Sequence, residues 1–266
     1  MLPKALTEPV TQVLGLSPSA QWSQMESGAV NRVWRLKDGE GDWVVKWLGG
    51  DNFSGLDRNR QFGLQQQLAR LGLAPAPIWK SADASVWVEK WAEPKRPSCL
   101  VNNEPALVAG RVLATIHQQQ IDAEVLDLPG RWQHYIELAQ LGRTDPIRHV
   151  VTTLTQQWLE QDKQNYVLCH NDLSFGHIVD DMRPCVVDWE YAALGNRFFD
   201  LASCSLINNM TERQQRQMEE EYARSAQLSA QWVGEQLASH LPIVQLTTQL
   251  WFKAMQRTSG NAVDAG

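Results

Sequence analysis

The feature that most constrains the fold is a change in hydrophobic pattern about a third of the way along the chain. Before it, apolar runs are short and strand-like, as in RVWRL at 32–36 and WVVKWL at 43–48, which the turn KDGEGD joins. Such a pair predicts a β-hairpin, and SVWVEKW at 85–91 predicts a further strand. Helical patterns dominate after the proline-containing stretch AEPKRPS at 92–98. The fold class predicted is α+β, with a small β-rich N-terminal lobe (1–92) and a larger, mainly helical C-terminal lobe (93–266).

Several helices and one more hairpin can be placed by their spacing and end signals. Apolar residues at helical spacing predict a helix over 58–72, with Gly72 as its C-cap. In the second lobe, helices are predicted over 106–120 and 150–162, and a hairpin over 177–190 with its turn near 181–184. Thr211 and Gln214 stand in capping-box positions at the start of another helix. We expect the last helix to end near Arg257 and the tail beyond it to be frayed.

Composition narrows the classes of partner. The formal net charge of −6 argues against a nucleic-acid partner, which usually requires a basic surface. The four cysteines include no CxxC pair, which favours reduced thiols in a cytoplasm. The N-terminus lacks the apolar core of a signal peptide, and no run approaches the ~20 apolar residues of a membrane span. We therefore expect a cytoplasmic protein without a membrane or nucleic-acid partner, of undetermined oligomeric state.

Two features of the first lobe could bind an anion. The small-residue turn at 27–31, which contains Ser27, Gly28 and Asn31, lets backbone N–H groups approach a phosphate, although an ordinary β-turn would have the same composition. Lys46 lies within the apolar run VVKWL, where a buried lysine is costly unless it meets an anion. The alternative for Lys46 is an edge position that points to solvent.

Two aspartates of the second lobe could act together. Asp172 lies in HNDLSFGH at 170–177, in a loop after the apolar run YVL, and Asp188 ends the run CVVD. One such carboxylate can accept a proton from a nucleophilic hydroxyl while the other holds a divalent cation. Taken singly, each aspartate is better explained as a turn or capping residue.

These motifs together resemble those of the aminoglycoside phosphotransferase and choline kinase superfamily. HNDLSFGH resembles the catalytic loop HxDxxxxN, and VVDWEYAALGNRFFDLA at 186–202 resembles the metal-binding segment that follows it. The resemblance covers roughly residues 25–255, and the DWEYA wording is closest to small bacterial choline, ethanolamine and thiamine kinases. It implies a bilobal protein-kinase-like fold and an ATP-dependent kinase that phosphorylates the hydroxyl of a small, cationic metabolite.

The resemblance also implies roles for individual residues. Asp172 would be the catalytic base, with His170 as a structural member of its loop, and Asp188 would chelate Mg²⁺. Asp200 would brace the loop. The nucleotide would be held by residues of the first lobe: Lys46 and the turn with Ser27, Gly28 and Asn31 at the phosphates, and the strand end with Glu89 and Trp91 at the adenine. Phosphoryl transfer depends mainly on such positioning and charge neutralisation.

Two positions depart from the family pattern. His177 stands where the family has Asn, and an imidazole suits Mn²⁺ better than Mg²⁺. Gln61 stands where the first-lobe helix supplies a Glu to the lysine, and the nearby Asp57 could replace that Glu only in part. These departures support the alternative of a pseudokinase, which binds nucleotide or metabolite without transfer.

The substrate residues are predicted from aromatic and acidic side chains near the second motif. Trp189, Glu190 and Tyr191 follow the metal-binding aspartate, and Trp251 lies on the last helix. Aromatic rings with a carboxylate suit choline, ethanolamine or thiamine better than an aminoglycoside, whereas core packing is the alternative for each Trp. A zinc site is a further, weaker alternative, formed by Cys169, His170, His177 and Cys185.

Overall fold

A computed structural model describes residues 4–25, 31–48, 51, 53–94 and 104–261. The chain divides into two compact units. The first comprises Met1–Asn52 and Asp57–Pro94, and the second comprises Phe53–Leu56 and Lys95–Gly266. The short segment Phe53–Leu56 thus groups with the second unit, although the chain on either side of it belongs to the first.

The first unit is built on one antiparallel sheet of five strands in the order β1-β2-β3-β5-β4. In chain order, the strands are β1 (Gln21–Met25), β2 (Arg32–Asp38), β3 (Gly41–Trp47), β4 (Pro77–Lys80) and β5 (Val86–Lys90). Helix α1 (Lys4–Leu14) precedes the sheet, and helix α2 (Arg58–Arg70) connects β3 to β4. The predicted hairpin is β2–β3, in which Arg32 pairs with Trp47 and Asp38 pairs with Gly41.

The two faces of this sheet have different characters. One face carries the apolar core, where α1 contributes Leu6 and Val10 and the strands contribute Leu36, Val45 and Val88. These side chains are nearly inaccessible to solvent, so burial of apolar surface explains why α1 covers this face. Because side chains alternate along a strand, the opposite face carries the others, which include the buried Val44 and Trp87 as well as Lys46 and Glu89.

Helix α2 ends as the sequence predicts. The N–H of Gly72 donates to the carbonyl of Ala69 at 3.0 Å, and the N–H of Leu73 donates to that of Leu68 at 2.9 Å. Gly72 has a φ of +77°, so this is a Schellman motif that uses the left-handed conformation open to glycine. At the other end, the carboxylate of Asp57 accepts from the amides of Asn59 and Arg60 and caps the helix.

The second unit is mainly helical. Its helices, in chain order, are α3 (Pro105–His117), α4 (Leu128–Leu138), α5 (Ile147–Leu159), α6 (Arg197–Ile207), α7 (Glu212–Ala226) and α8 (Ala230–Asn261). Two short antiparallel pairs lie between α5 and α6: β6 (Tyr166–Cys169) with β9 (Ala193–Asn196), and β7 (Ile178–Asp180) with β8 (Cys185–Val186). Helices α3 and α7 pack closely at Gly110, where an added Cβ would lie 2.6 Å from the carbonyl oxygen of Met218.

The predicted α+β, kinase-like fold class is confirmed. The helices predicted at 106–120 and 150–162 correspond to α3 and α5, and the hairpin turn lies at 181–184 between β7 and β8. The capping box of Thr211 and Gln214 is present at the start of α7. Helices α1, α4 and α6 were not predicted, and α8 continues to Asn261 rather than ending near Arg257. Within the described part of the chain, no helix has both the length and the apolarity needed to cross a membrane.

Candidate functional site

The segment at 170–177, called here the Asp172 loop, is held by a buried carboxylate. Asp200 on α6 is fully buried, and its two oxygens each accept a backbone N–H, from His170 and from Asn171, both at 2.7 Å. Ser203, one turn further along α6, donates its hydroxyl to the carbonyl of Asn171 at 3.0 Å. Asn171 itself has a left-handed φ of +63°. Helix α6 therefore fixes the backbone just before Asp172.

A chain of buried polar groups continues from Asp200 into the helices. The Nε2–H of His117 donates to Asp200 at 3.1 Å, and the Nδ1 of His117 lies 2.8 Å from the hydroxyl of Tyr222. Because a carboxylate only accepts, Nε2 carries the proton and Tyr222 donates to Nδ1. Burial lowers the pKa of His117, which agrees with this neutral form. The loop is thus anchored to α3 and α7 as well as to α6.

His170 is a structural residue of the loop. Its Nε2–H donates to the carbonyl of Val187 at 3.1 Å, and its Nδ1 accepts from the amide of Asp172 at 3.3 Å. Burial, together with the neighbouring His177, lowers its pKa to about 4. The ring is therefore neutral near pH 7 and connects the Asp172 loop to the end of β8.

Asp172 lies among other carboxylates. Burial first, and then the negative charges of Asp188, Glu190 and Asp200, raise its pKa to about 8. A group of acidic side chains that repel one another in this way would be stabilised by a bound cation. The predicted pair of Asp172 and Asp188 is thus close enough in space to interact electrostatically.

Asp188 and His177 present ligand atoms to the same region. Asp188 has a left-handed backbone, with φ 67° and ψ 53°, which is uncommon for a residue other than glycine and concentrates at functional sites. Its carboxylate lies 3.9 Å from Nε2 of His177. Nδ1 of His177 lies 2.9 Å from the carbonyl oxygen of Asp172 and 3.3 Å from the amide nitrogen of Ser174. The tautomer that donates Nδ1–H to the shorter of these contacts has its Nε2 lone pair on the side of Asp188. Two such atoms at this separation fit around one divalent cation.

The four residues predicted to contact substrate do not form one group. The indole of Trp189 is 3% exposed, its N–H donates to the carbonyl of Val186 at 2.8 Å, and its ring packs against His170. Trp189 therefore supports the Asp172 loop, and its placement gives no support to substrate contact. Glu190 is half-buried and acts on Asp172 through its charge.

Tyr191 and Trp251 do lie together. The indole N–H of Trp251 donates to the hydroxyl of Tyr191 at 3.0 Å, and the Trp251 ring meets the buried ring of Phe53 edge-on at 5.3 Å. The guanidinium of Arg131 lies over the Tyr191 ring at 5.8 Å from its centroid. The backbone carbonyl of Tyr191 accepts from the side-chain amide of Asn171 at 2.9 Å. This aromatic cluster is thus tied to the residue that precedes Asp172.

The residues predicted to hold nucleotide lie in the first unit. Ser27 and Gly28 are outside the described residues, and Asn31 directly precedes β2. Lys46 forms an ion pair with Glu89, with Nζ 3.4 Å from Oε1. Gln61, expected beside Lys46, accepts from the guanidinium of Arg58 at 3.0 Å.

The residues predicted to contact adenine at the end of β5 have partners within the first unit. The N–H of Lys90 donates to the carbonyl of Ala76 at 2.9 Å, and the backbone N–H of Trp91 donates to the carbonyl of Asp42 at 3.0 Å. These donors are used within the first unit, and the side chain of Glu89 is buried against Lys46. The Trp91 ring is covered by the guanidinium of Arg35 at 3.8 Å. The adenine contact at this strand end stays a prediction, in which the N–H groups of Lys90 and Trp91 already have partners within the first unit.

The zinc alternative does not describe this site. Within the part of the chain that the structure describes, the potential ligands that come within 4.8 Å of one another are His117, Cys169 and Asp200. This group differs from the one predicted. Burial raises the pKa of the Cys169 thiol, which donates to the carbonyl of Gly195 at 3.3 Å. A buried, protonated thiol is a poor zinc ligand, because the metal requires a thiolate.

Sequence reasoning missed two groups that position the loop. His117 and Tyr222 carry no motif, since each is a single polar residue on a helix. Asn208 follows α6, where its carbonyl oxygen accepts from the amide of Phe175 at 2.8 Å and its amide donates to the carbonyl of Leu173 at 3.0 Å. No sequence signal points to Asn208 beyond its preference for helix ends.

An antiparallel sheet unit followed by a mainly helical unit with a braced aspartate loop is the arrangement of the kinase-like fold class. The model of the Phosphotransferase enzyme family matches residues 21–238. The chain therefore belongs to this family, as the motifs suggested.

Solved structures agree on the fold. The choline kinase LicA from Streptococcus pneumoniae has a TM-score of 0.66 at 18% identity, over 97% of this chain and 98% of that one. The ADP-bound aminoglycoside phosphotransferase APH(2'')-Ib has a TM-score of 0.57 at 16% identity, over 97% and 99% of the two chains. An uncharacterized protein of Metamycoplasma hominis is 23% identical over 145 residues, which are 51% of this chain and 27% of that curated relative.

Proposed function

We propose that the protein is an ATP-dependent kinase that phosphorylates the hydroxyl of a small, cationic metabolite. Within this class we favour a choline, ethanolamine or thiamine type of acceptor over an aminoglycoside. The observation that carries the proposal is the carboxylate cluster around Asp172, which Asp200 holds in place from α6. Such a reaction draws on the ATP of the cytoplasm, where we place the protein.

Asp172 would accept the proton of the acceptor hydroxyl. A general base is most effective when its pKa lies near the working pH, and burial with neighbouring charges moves the pKa of Asp172 in that direction. His170 would contribute by holding the amide of Asp172. A group that both positions and deprotonates the nucleophile meets the main demands of phosphoryl transfer.

Asp188 and His177 would hold the divalent cation that accompanies ATP. The mutual repulsion around Asp172 and the exposed third of the Asp188 carboxylate support this assignment. Such a cation neutralises phosphate charge. A carboxylate suits Mg²⁺, and the imidazole adds a preference for Mn²⁺.

The first unit would hold the nucleotide. We assign the phosphates to Lys46 and to the turn with Ser27, Gly28 and Asn31, and the base to backbone groups that follow Glu89 and Trp91. Lys46 is largely buried and paired with a carboxylate, which favours a fixed ammonium group over a solvent-exposed edge lysine.

The acceptor would be recognised near the aromatic cluster. Because Arg131 already lies over the ring of Tyr191, we assign the charge of a cationic acceptor to Trp251 and Glu190. The choline kinase among the structural neighbours supports this choice of acceptor. The aminoglycoside phosphotransferase, which has the same fold, keeps the other acceptor class in the test.

An ADP-release assay tests the proposal. The purified protein is supplied with ATP and either Mg²⁺ or Mn²⁺, and choline, ethanolamine, thiamine and several aminoglycosides are compared as acceptors. The Asp172→Ala variant is the control for contaminating kinases. Acceptor-dependent release that this variant lacks would establish the activity and its substrate class.

The same assay separates the alternatives. No release with any acceptor, combined with protection by ATP against thermal unfolding, would favour the pseudokinase. No release and no protection would contradict the nucleotide assignment.

A further inference from the structure

We propose that Glu89 on strand β5 is the counter-ion that positions Lys46, in place of a carboxylate on helix α2. Only the role of the ion pair, which is to place Lys46 against nucleotide phosphates, rests on the proposed function. The pairing itself can be tested without nucleotide.

The pairing follows from the register of two neighbouring strands. In the antiparallel pair β3–β5, Glu89 lies opposite Val44 and Lys46 lies opposite Trp87. Glu89 and Lys46 are therefore diagonal neighbours on one face of the sheet, within reach of each other. Nζ of Lys46 lies 3.4 Å from Oε1 of Glu89, and the two side chains are 14% and 2% exposed.

The other oxygen of Glu89 is fixed separately. Oε2 accepts from the side-chain amide of Gln65 at 2.8 Å and from the indole N–H of Trp87 at 2.9 Å. The same amide of Gln65 also donates to the carbonyl of Pro75 at 3.0 Å. With Oε2 held by two donors, the carboxylate cannot rotate freely, and Oε1 remains directed at Lys46. A carboxylate buried to this extent is costly without a cation, and Lys46 supplies one.

This arrangement explains why helix α2 carries no carboxylate for Lys46. Helix α2 and its C-terminal turn contain no acidic residue, and Gln61 and Gln65 occupy successive turns of one helix face. Since Gln65 already contacts Glu89, a carboxylate on this face would add a second negative charge beside the first. Neutral glutamine instead donates a hydrogen bond to Glu89. A helix α2 without glutamate is thus what we expect where β5 already supplies the carboxylate.

The location of the counter-ion on a strand, rather than on α2, affects how firmly Lys46 is held. Both members of the pair lie on adjacent strands of one sheet, so a shift of α2 would loosen the Gln65 contact but would not move the two strands apart. A counter-ion on the helix would instead make the position of the lysine depend on the position of the helix. We therefore expect Lys46 to be held in its paired position whether or not nucleotide is bound.

The Glu89→Gln variant tests the use of the pair. Glutamine keeps the size of the side chain and one acceptor oxygen but removes the charge. We expect kcat/KM for ATP to fall about ten- to a hundredfold, the range for a hydrogen bond to a charged group, while KM for the acceptor stays unchanged. The matched control is Glu40→Gln, an exposed glutamate in the turn between β2 and β3, which should retain wild-type kinetics.

Two further results would bear on this test. Adding Gln61→Glu to Glu89→Gln should restore part of the lost efficiency, because a carboxylate returns to the helix face that carries Gln65. If Gln61→Ala produced the loss and Glu89→Gln did not, the helix would hold Lys46 and the proposal would be overturned.

The pairing is tested without nucleotide by amine-selective labelling and mass spectrometry. Removal of the Glu89 charge takes a neighbouring negative charge away from the buried Lys46 ammonium, which favours the neutral, reactive amine. We expect Lys46 to be labelled about tenfold faster in Glu89→Gln, with the exposed Lys90 as an internal control of unchanged rate. Equal rates at Lys46 in the two proteins would overturn the pairing. A wild-type protein that binds no nucleotide would contradict the proposed function alone, since the labelling still decides the pairing.

A stability comparison covers the case in which Glu89→Gln folds poorly. Lys46→Met leaves a buried carboxylate without its cation, whereas Lys46→Met/Glu89→Gln leaves neither charge. The double variant should therefore unfold at a higher urea concentration than Lys46→Met. Strictly additive losses would overturn the proposal.

Discussion

Replacement of Asp200 by asparagine should loosen the Asp172 loop without unfolding the protein. The carboxylate of Asp200 is fully buried and accepts the backbone amides of His170 and Asn171, both at 2.7 Å, as well as the Nε2–H of His117 at 3.1 Å. The side-chain amide of the introduced asparagine would retain one acceptor oxygen and would turn its NH₂ group towards a donor. At least one buried N–H therefore loses its partner.

The size of the effect follows from these contacts. A hydrogen bond to a charged group contributes about 1.5–3 kcal/mol, and an unsatisfied buried donor costs about 1–3 kcal/mol. For Asp200→Asn we expect the free energy of unfolding to fall by about 2–4 kcal/mol, which a domain of ordinary stability survives. Turnover should fall more steeply than nucleotide affinity, because the loop that carries Asp172 is the part released.

Urea unfolding followed by circular dichroism measures the first effect, and ADP release with nucleotide binding measures the second. Asp127→Asn is the matched control: Asp127 is an exposed N-cap that accepts the amide of Gly130 at 3.0 Å, and asparagine caps helices equally well. An Asp200→Asn protein as stable as this control would refute the bracing role. Normal turnover in that variant would refute the link between the brace and Asp172.

The remaining predictions concern the loop and the substrate site. Asp172→Ala should lower kcat about a hundred- to ten-thousandfold while ATP affinity, measured by calorimetry, stays nearly unchanged. His177→Asn should raise Mg²⁺-supported turnover relative to Mn²⁺-supported turnover, and a fall with both metals would contradict a ligand role. Trp251→Leu should raise KM for a cationic acceptor about tenfold and leave KM for ATP unaltered. Burial lowers the pKa of His170 from 6.5 to about 4, so the unfolded chain binds the proton first and the contribution of His170 to stability falls as the pH drops from 6.5 to about 4. The raised pKa of Asp172 acts in the opposite direction over this range, so the quantity to measure is the difference in stability between the wild type and His170→Asn in urea titrations. That difference should change by about 3 kcal/mol, and two proteins with the same pH dependence would contradict it.

Much of the fold can be predicted from the sequence, because many helices and strands have local sequence signals. The β2–β3 hairpin has alternating strands and a glycine turn, α2 has Gly72, and α7 has a complete capping box. Helix α1 was not predicted for two reasons. Pro9 lies inside it, and its formation depends on packing against the sheet. Helix α4 has an N-cap aspartate and an early proline, but Gly130 in its first turn weakens the helical pattern.

The site was predictable to the extent that it lies in contiguous motifs. The spacing of HNDLSFGH and VVDWE was enough to bring Asp172 and Asp188 into one predicted site. The pairing of Lys46 with Glu89 depends on the register of two strands separated by a helix, which no local pattern gives. The bond between His117 and Asp200 joins residues 83 positions apart, so only the packing of α3 against α6 reveals it.

The two departures that support the pseudokinase alternative have structural counterparts that weaken it. Gln61 lacks the charge expected on α2, but Lys46 has a carboxylate partner in Glu89. His177 lacks the oxygen of asparagine, but its Nε2 lies beside Asp188 while Nδ1 is held by the loop backbone. A degenerating site would be expected to lose a function without gaining a replacement. Here each substituted position has a neighbour that can perform the missing role, which supports the proposed kinase over the pseudokinase.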